Sequence, residues 1–201
     1  MLFRSIGHFS AAKSTQLPAL TTRRWRTEPG SPWYTPLDKR ISSASREAAL
    51  YGMLGALTFA AKLVMAPLPN IEPVSLLVML FAVTLGKKAL FPVYVYVLLE
   101  ISLFGLGLWT TAYLYIWALL ALAAFLLRSM ESPLGWAILS GLFGLLFGAL
   151  CTPVCLLTGG PAFALSWWLS GIPFDLAHCA GNFALTLVLF RPGRRLLSRL
   201  L

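Results

Sequence analysis

The chain has 201 residues, of which 58% are hydrophobic and only 11% charged, and its mean hydropathy is +0.78. A soluble domain carries about 25% charged residues, so the composition excludes an ordinary soluble protein and indicates a membrane protein. The net charge of +9 is not gathered on a folded basic domain, which sets nucleic-acid binding aside, and three cysteines in apolar surroundings (Cys151, Cys155, Cys179) give no disulfide framework.

In chain order, residues 1–45 come first, rich in Ser, Thr, Pro and Arg, with Glu28 and Asp38 as their acids. They hold no continuous apolar run of signal-peptide length. Their composition is that of an organellar transit peptide or of a disordered basic tail on the cytoplasmic side, and the tail is the simpler expectation. Residues 46–201 then form one membrane domain. Six apolar segments fall near 48–68, 72–86, 89–108, 110–127, 133–157 and 171–190, where a span needs about 20 residues. The second is short and relies on snorkelling of Lys87 and Lys88 or on local thinning of the bilayer. Between the fifth and sixth, TGGPAFALSWWLSG reads as a Gly/Pro loop at the interface, where tryptophan is favoured.

Lysine and arginine set the orientation. With the N-terminus inside, fifteen of the 16 basic residues fall on the inner side: eight up to and including Arg46, then Lys87, Lys88, Arg128, Arg191, Arg194, Arg195 and Arg199. The sixteenth, Lys62, is within the first span. The expected fold is therefore an all-α, six-helix integral membrane bundle with both termini inside, carrying a disordered basic N-terminal tail. Omitting the short second helix moves Arg128 outside and breaks the pattern.

The polar residues inside these spans lie at one level. At 1.5 Å per residue, Lys62, Asn70, Glu72, Glu100, Asp175, His178 and Asn182 all fall in the outer half of the bundle. An ionised side chain at membrane depth costs about 2.5–3.5 kcal/mol, so each needs a partner or a watery cavity. Asp175, His178, Cys179 and Asn182 share one helical face, at offsets 0, 3, 4 and 7. Simple pairing explains any one of these groups. Three acids against one lysine do not neutralise each other, so the set reads as a solute site opening outward, with a lean toward a cationic solute. Tyr113, Trp117 and Trp167 are candidates to stack on a flat ring, while Trp109 and Trp168 suit a lipid-facing belt. Cys151 and Cys155, with Cys179 and His178, have soft-metal chemistry, but small apolar residues around a kink at Pro153 are the simpler reading, and no metal or cofactor is expected.

Two ridges of small residues stand out. Ala48, Gly52, Ala56 and Ala60 recur every four residues in the first span, and Gly141, Gly144 and Gly148 line the fifth. Such ridges let helices approach closely, either inside the bundle or against another subunit.

These features together resemble the substrate-binding S components of energy-coupling factor (ECF) transporters, the vitamin importers of prokaryotes. The resemblance covers residues 48–198. It is carried by Ala56-Leu-Thr-Phe-Ala60, by NIEPVSLLVMLFAVTLGKKAL (70–90), by GLFGLLFGAL (141–150), and by GIPFDLAHCAGN (171–182) with the final Arg191-Pro192. It implies a non-enzymatic, multi-pass protein of the bacterial plasma membrane that captures a small vitamin-like solute from outside. It also implies partners: an energising transmembrane subunit, with two ABC-type ATPases, docking at Gly52, Ala56 and Ala60. The long basic tail departs from the family pattern, and the start Met1-Leu2-Phe3 lacks the His of the metal-importing branch. The chain itself has no G-x-x-x-x-G-K-[ST] for nucleotide hydrolysis. The competing expectations are a stand-alone carrier, against which the lack of an internal repeat counts, and an intramembrane acid–base enzyme using Asp175 and His178. The latter lacks both G-x-S-G and H-E-x-x-H.

Overall fold

With no water in hydrocarbon to satisfy backbone N–H and C=O groups, an apolar chain of this kind hydrogen-bonds within each segment, and every described element is helical. A computed structural model describes residues 37–68 and 71–201, with side chains from residue 43 onward. The helices are α1 (Leu37–Met65), α2 (Val74–Leu85), α3 (Leu90–Phe104), α4 (Leu108–Leu126), α5 (Pro133–Leu145) and α6 (Phe147–Leu200), with a 3-10 turn at Gly86–Ala89. Four stretches are long and apolar enough to cross a bilayer: Ser43–Met65, Val74–Phe104, Leu108–Leu126 and Pro133–Leu200. The fold is all-α, and the chain reads as a membrane protein.

Several expected boundaries move. Helix α1 starts at Leu37 and so takes in residues 37–45, which the sequence assigns to the tail. The rest of that tail lies outside the described residues. The expected interfacial loop at 158–171 is helical on both sides of a single break at Gly160, whose φ of 78° and ψ of −179° divide α6 into residues 147–159 and 161–200. Gly160 supplies the positive φ, and Pro161 then suits a first helical turn because it needs no N–H partner there. The expected fifth span is likewise interrupted at Leu146, between α5 and α6. Helix α2 has 12 residues, about 18 Å at 1.5 Å per residue, against a hydrocarbon core of about 30 Å. It is followed by Gly86 at φ 61°, where the chain turns into α3.

Local sequence explains two of the helix starts. Ser132 caps α5 by accepting the Gly135 N–H at 3.2 Å, with Pro133 at the first position. At α4, the Thr110 hydroxyl accepts the Gly107 N–H at 2.6 Å and donates to the Gly105 carbonyl at 2.8 Å.

Cross-contacts give the packing directions. Helices α1 and α3 run parallel, joined in register by Glu47–Lys88, the Tyr51–Phe91 ring stack and Lys62–Glu100. They approach closely at Gly55, where a Cβ would stand 2.6 Å from Val95 Cβ. Helices α3 and α4 are antiparallel, with Tyr96 against Trp117 and the Tyr94 hydroxyl donating to the Leu114 carbonyl. Helix α5 runs antiparallel to the long arm of α6. Trp136 stacks on Phe190 with centroids 4.5 Å apart, Gly141 meets Cys179 and Phe183, and Gly144 meets the backbone of His178. The buried core is built from Met79, Phe81, Tyr96, Ile116, Trp117 and Trp136, while Met53, Val64, Leu98 and Leu157 are among the large apolar side chains left facing outward.

These contacts sort the polar residues. Gly86, just before Lys87 and Lys88, packs beside Phe125 near the end of α4, and Leu80 of α2 packs beside Gly193 of α6. Lys87, Lys88, Arg128 and the arginines of residues 191–199 therefore share one end of the bundle. Lys62, Glu72, Glu100, Asp175 and His178 share the other.

Candidate functional site

At that second end the C-terminal part of α1 carries Lys62, inclined toward α3 and α4. Its Nζ donates to Glu100 Oε2 at 2.9 Å and to the Tyr113 hydroxyl at 3.3 Å, and it lies 5.2 Å from the centre of the Tyr113 ring. Glu100 is fully buried, and its second carboxylate oxygen has no hydrogen-bond partner among the described residues. Breaking such a pair strands a charge in a low-dielectric layer, which costs about 3–5 kcal/mol.

Three concavities adjoin around this pair. One of about 280 Å³ is lined by Lys62, Glu72, Trp109, Tyr113, Phe147 and His178. A second, of about 460 Å³, shares Trp109, Phe147 and His178 and adds Trp167, Phe174 and Asp175. A third, of about 300 Å³, shares Lys62 and Glu72 with the first and Phe174 with the second, and adds Phe104. The shared walls set them side by side as lobes of a composite site, each of roughly the size of small-molecule pockets. A further apolar groove, about 410 Å³, lies at the basic end between the Gly86–Ala89 turn and α4.

Asp175 does two things at once. Its Oδ1 accepts the Gly148 N–H at 3.0 Å. That N–H belongs to the first turn after the break at Leu146, so Asp175 caps a helix start from across the bundle. Its Oδ2 is buried with no partner among the described residues. The approach is tight: a Cβ at Gly148 would sit 2.5 Å from Oδ2. His178, one turn further on, lies edge-on to Phe147 at 5.0 Å, and its buried Nε2 also has no partner among the described residues. Glu72 lies in the link before α2. Burial pushes its carboxyl above the usual carboxylate range, Lys62 partly offsets this, and Glu100 adds to it.

Of the expected site residues, Lys62, Glu72, Tyr113, Trp167, Asp175 and His178 line the cavity, and Glu100 is tied to it through Lys62. Trp117 is buried beneath it, edge-on to Tyr113 and beside Phe143 and Phe147, and does not line it. Asn182 lies elsewhere: its amide donates to Ser75 at 3.0 Å and to the Ser140 carbonyl at 3.4 Å, joining α6 to α2 and α5. Asn70 lies outside the described residues. Trp109, which its position assigns to a lipid belt, lines two of the three lobes although 48% exposed. Phe104, Phe147 and Phe174 were not singled out from sequence. Their only signal is aromatic character beside a polar position, which apolar spans repeat everywhere.

The two ridges separate. Gly141, Gly144 and Gly148 face inward, against residues 175–183 of α6. Ala56 and Ala60 are exposed, and a Cβ at Gly52 would meet nothing within 4 Å. The cysteines are free thiols, and among the described residues no group of three His, Cys, Asp or Glu side chains is placed to hold a metal ion. No family model, curated protein or solved structure matches this chain.

Proposed function

We propose that this protein is the solute-capturing subunit of an ECF-type importer. It crosses the membrane six times with both termini inside, takes a small vitamin-like solute into the cavity between α1, α3, α4 and α6, and docks on a separate energising membrane subunit with two ABC-type ATPases. The observation that carries this reading is the aromatic-walled polar cavity at the end of the bundle opposite the basic residues. On the positive-inside rule that end faces outward. The alternation of packing directions supports six crossings, with α2 reaching across a locally thinned layer. The outward ridge at Gly52, Ala56 and Ala60 supports docking of a partner helix, while the glycines of residues 141–148 are already used inside. Acid–base catalysis is less well supported, because Asp175 engages the Gly148 N–H and no contact orients His178 toward it.

The test is solute identification. Mass spectrometry of what co-purifies with the protein, followed by titration without ATP, should return one small organic compound. Ala56→Leu should leave that binding intact and abolish uptake in cells. A protein that carries no solute removes the capture role, and uptake that survives Ala56→Leu removes the docking assignment.

A further inference from the structure

The charges lining the cavity do not balance, and the hydrogen bonds show which of them remain available. Lys62 is the one lysine or arginine on its walls, and its ammonium is engaged by Glu100 Oε2 and the Tyr113 hydroxyl. An incoming anion would have to compete with a carboxylate already at 2.9 Å. On the acceptor side, Asp175 is 6% exposed and has one oxygen held by Gly148 and the other without a partner among the described residues. Glu72 lines two lobes, and Lys62, already hydrogen-bonded to Glu100, acts on it only through its charge. His178, 5% exposed, contributes a further unpartnered nitrogen. Around Asp175 the walls are largely π surfaces (Trp109, Trp167, Phe147 and Phe174), while near Glu72 Phe104 and Phe174 share the wall with Leu63, Met65, Ala66 and Leu68. Acceptors in excess, the cation already neutralised and electron-rich ring faces on the walls all favour the same ligand chemistry.

We infer that the cavity selects an organic cation built on a flat ring, the positive group meeting Asp175 and Glu72 and the ring lying among Trp109, Trp167 and Phe174. This rests on the cavity being the solute site proposed above, but not on the docking partner or on transport. Lys62 is then a positioning residue, holding Glu100 neutralised beneath the site, and it does not recognise a ligand carboxylate.

The experiment uses three matched probes that differ mainly in charge: 1-methylpyridinium-3-carboxamide, pyridine-3-carboxamide and pyridine-3-carboxylate. Each is titrated calorimetrically into the purified full chain in detergent, with no partner subunit. The cation should bind more tightly than the neutral amide, and the carboxylate should bind most weakly. Glu72→Gln and Asp175→Asn, each of which keeps an acceptor oxygen, should weaken the cation by about tenfold to a hundredfold, the range of a charge-assisted hydrogen bond, while leaving the neutral amide nearly unchanged. Asn at 175 keeps an amide oxygen to accept the Gly148 N–H that Asp175 now accepts. Tighter binding of the carboxylate, equal binding of all three or saturable binding of none overturns the inference. So does equal loss of cation and amide in both variants. Failure of the transport reading is distinct from these results, since uptake through Ala56→Leu would remove docking and leave the charge ranking in place.

Discussion

Helices α1 and α3 are tied together by an ion pair at each end, and the two pairs differ in almost every respect. At the basic end, Lys88 Nζ meets both oxygens of Glu47, at 2.8 and 2.9 Å, with side chains 54% and 51% exposed. At the cavity end, Lys62 meets Glu100 with side chains 16% and 0% exposed. The geometry is as good in the first pair as in the second, yet only in the second is the carboxylate shut off from solvent. Burial, rather than distance, decides what such a pair contributes. The same contrast separates the ends of the bundle: the basic side chains at one are largely exposed, while the charged groups at the other are mostly buried around a cavity.

The largest effect that sharpens this contrast is expected at Glu100. Glu100→Ala should lower stability by about 3–5 kcal/mol, because it leaves Lys62 charged and unpaired. The readout is unfolding in detergent. The double variant Lys62→Met, Glu100→Leu should recover most of the loss. If the single variant is neutral, the cavity end is as well hydrated as the basic end.

Next come the glycines under the cavity floor. A Cβ at Gly144 would stand 2.8 Å from the His178 carbonyl group, and backbone cannot swing aside as a flexible side-chain tip can. Gly144→Ala should cost about 1–3 kcal/mol by overpacking, measured in the same unfolding assay. Ala56→Leu on the exposed ridge should be silent there.

A smaller effect concerns pH. The Glu72 carboxyl is held above the usual carboxylate range by burial. The folded state therefore keeps its proton to higher pH than the unfolded state. Stability contributed by that proton is present at low pH and is lost as pH rises from the ordinary carboxylate value through the raised one. Glu72→Gln should flatten this part of the stability–pH curve, while a slope unchanged in the variant would assign it to another group.

The smallest effect is at the basic end. Lys88 pairs with Glu47 at 2.8 Å, but both side chains are about half exposed. Glu47→Gln should leave the unfolding midpoint where it is, and a clear loss would show that the two ends are not different in kind.

Much of this molecule follows from residue order. Composition and apolar run length give an all-helical chain with membrane-length segments, because a backbone in hydrocarbon has few other ways to satisfy its polar groups. The spacing of Asp175 and His178 on one helical face, and the shared level of Lys62, Glu72 and Glu100, are arithmetic at 1.5 Å per residue. Other features needed neighbours in space. That Asn182 joins three helices while His178, one turn away, faces a cavity depends on how α6 is rotated against α2 and α5. Periodicity places residues on a face but does not say what the face meets. The two small-residue ridges look alike as patterns, yet one is filled by α6 and the other is open. Gly160 alone, rather than the whole stretch from 158 to 171, makes the turn, since one positive-φ residue followed by proline reverses a chain without a long loop. Above all, Glu72, Glu100 and Asp175 were equivalent partners for Lys62 on paper. Only the packing of α1 on α3 chose Glu100, and that choice set the charge of the cavity, because an ion pair needs contact and contact is a property of the folded chain.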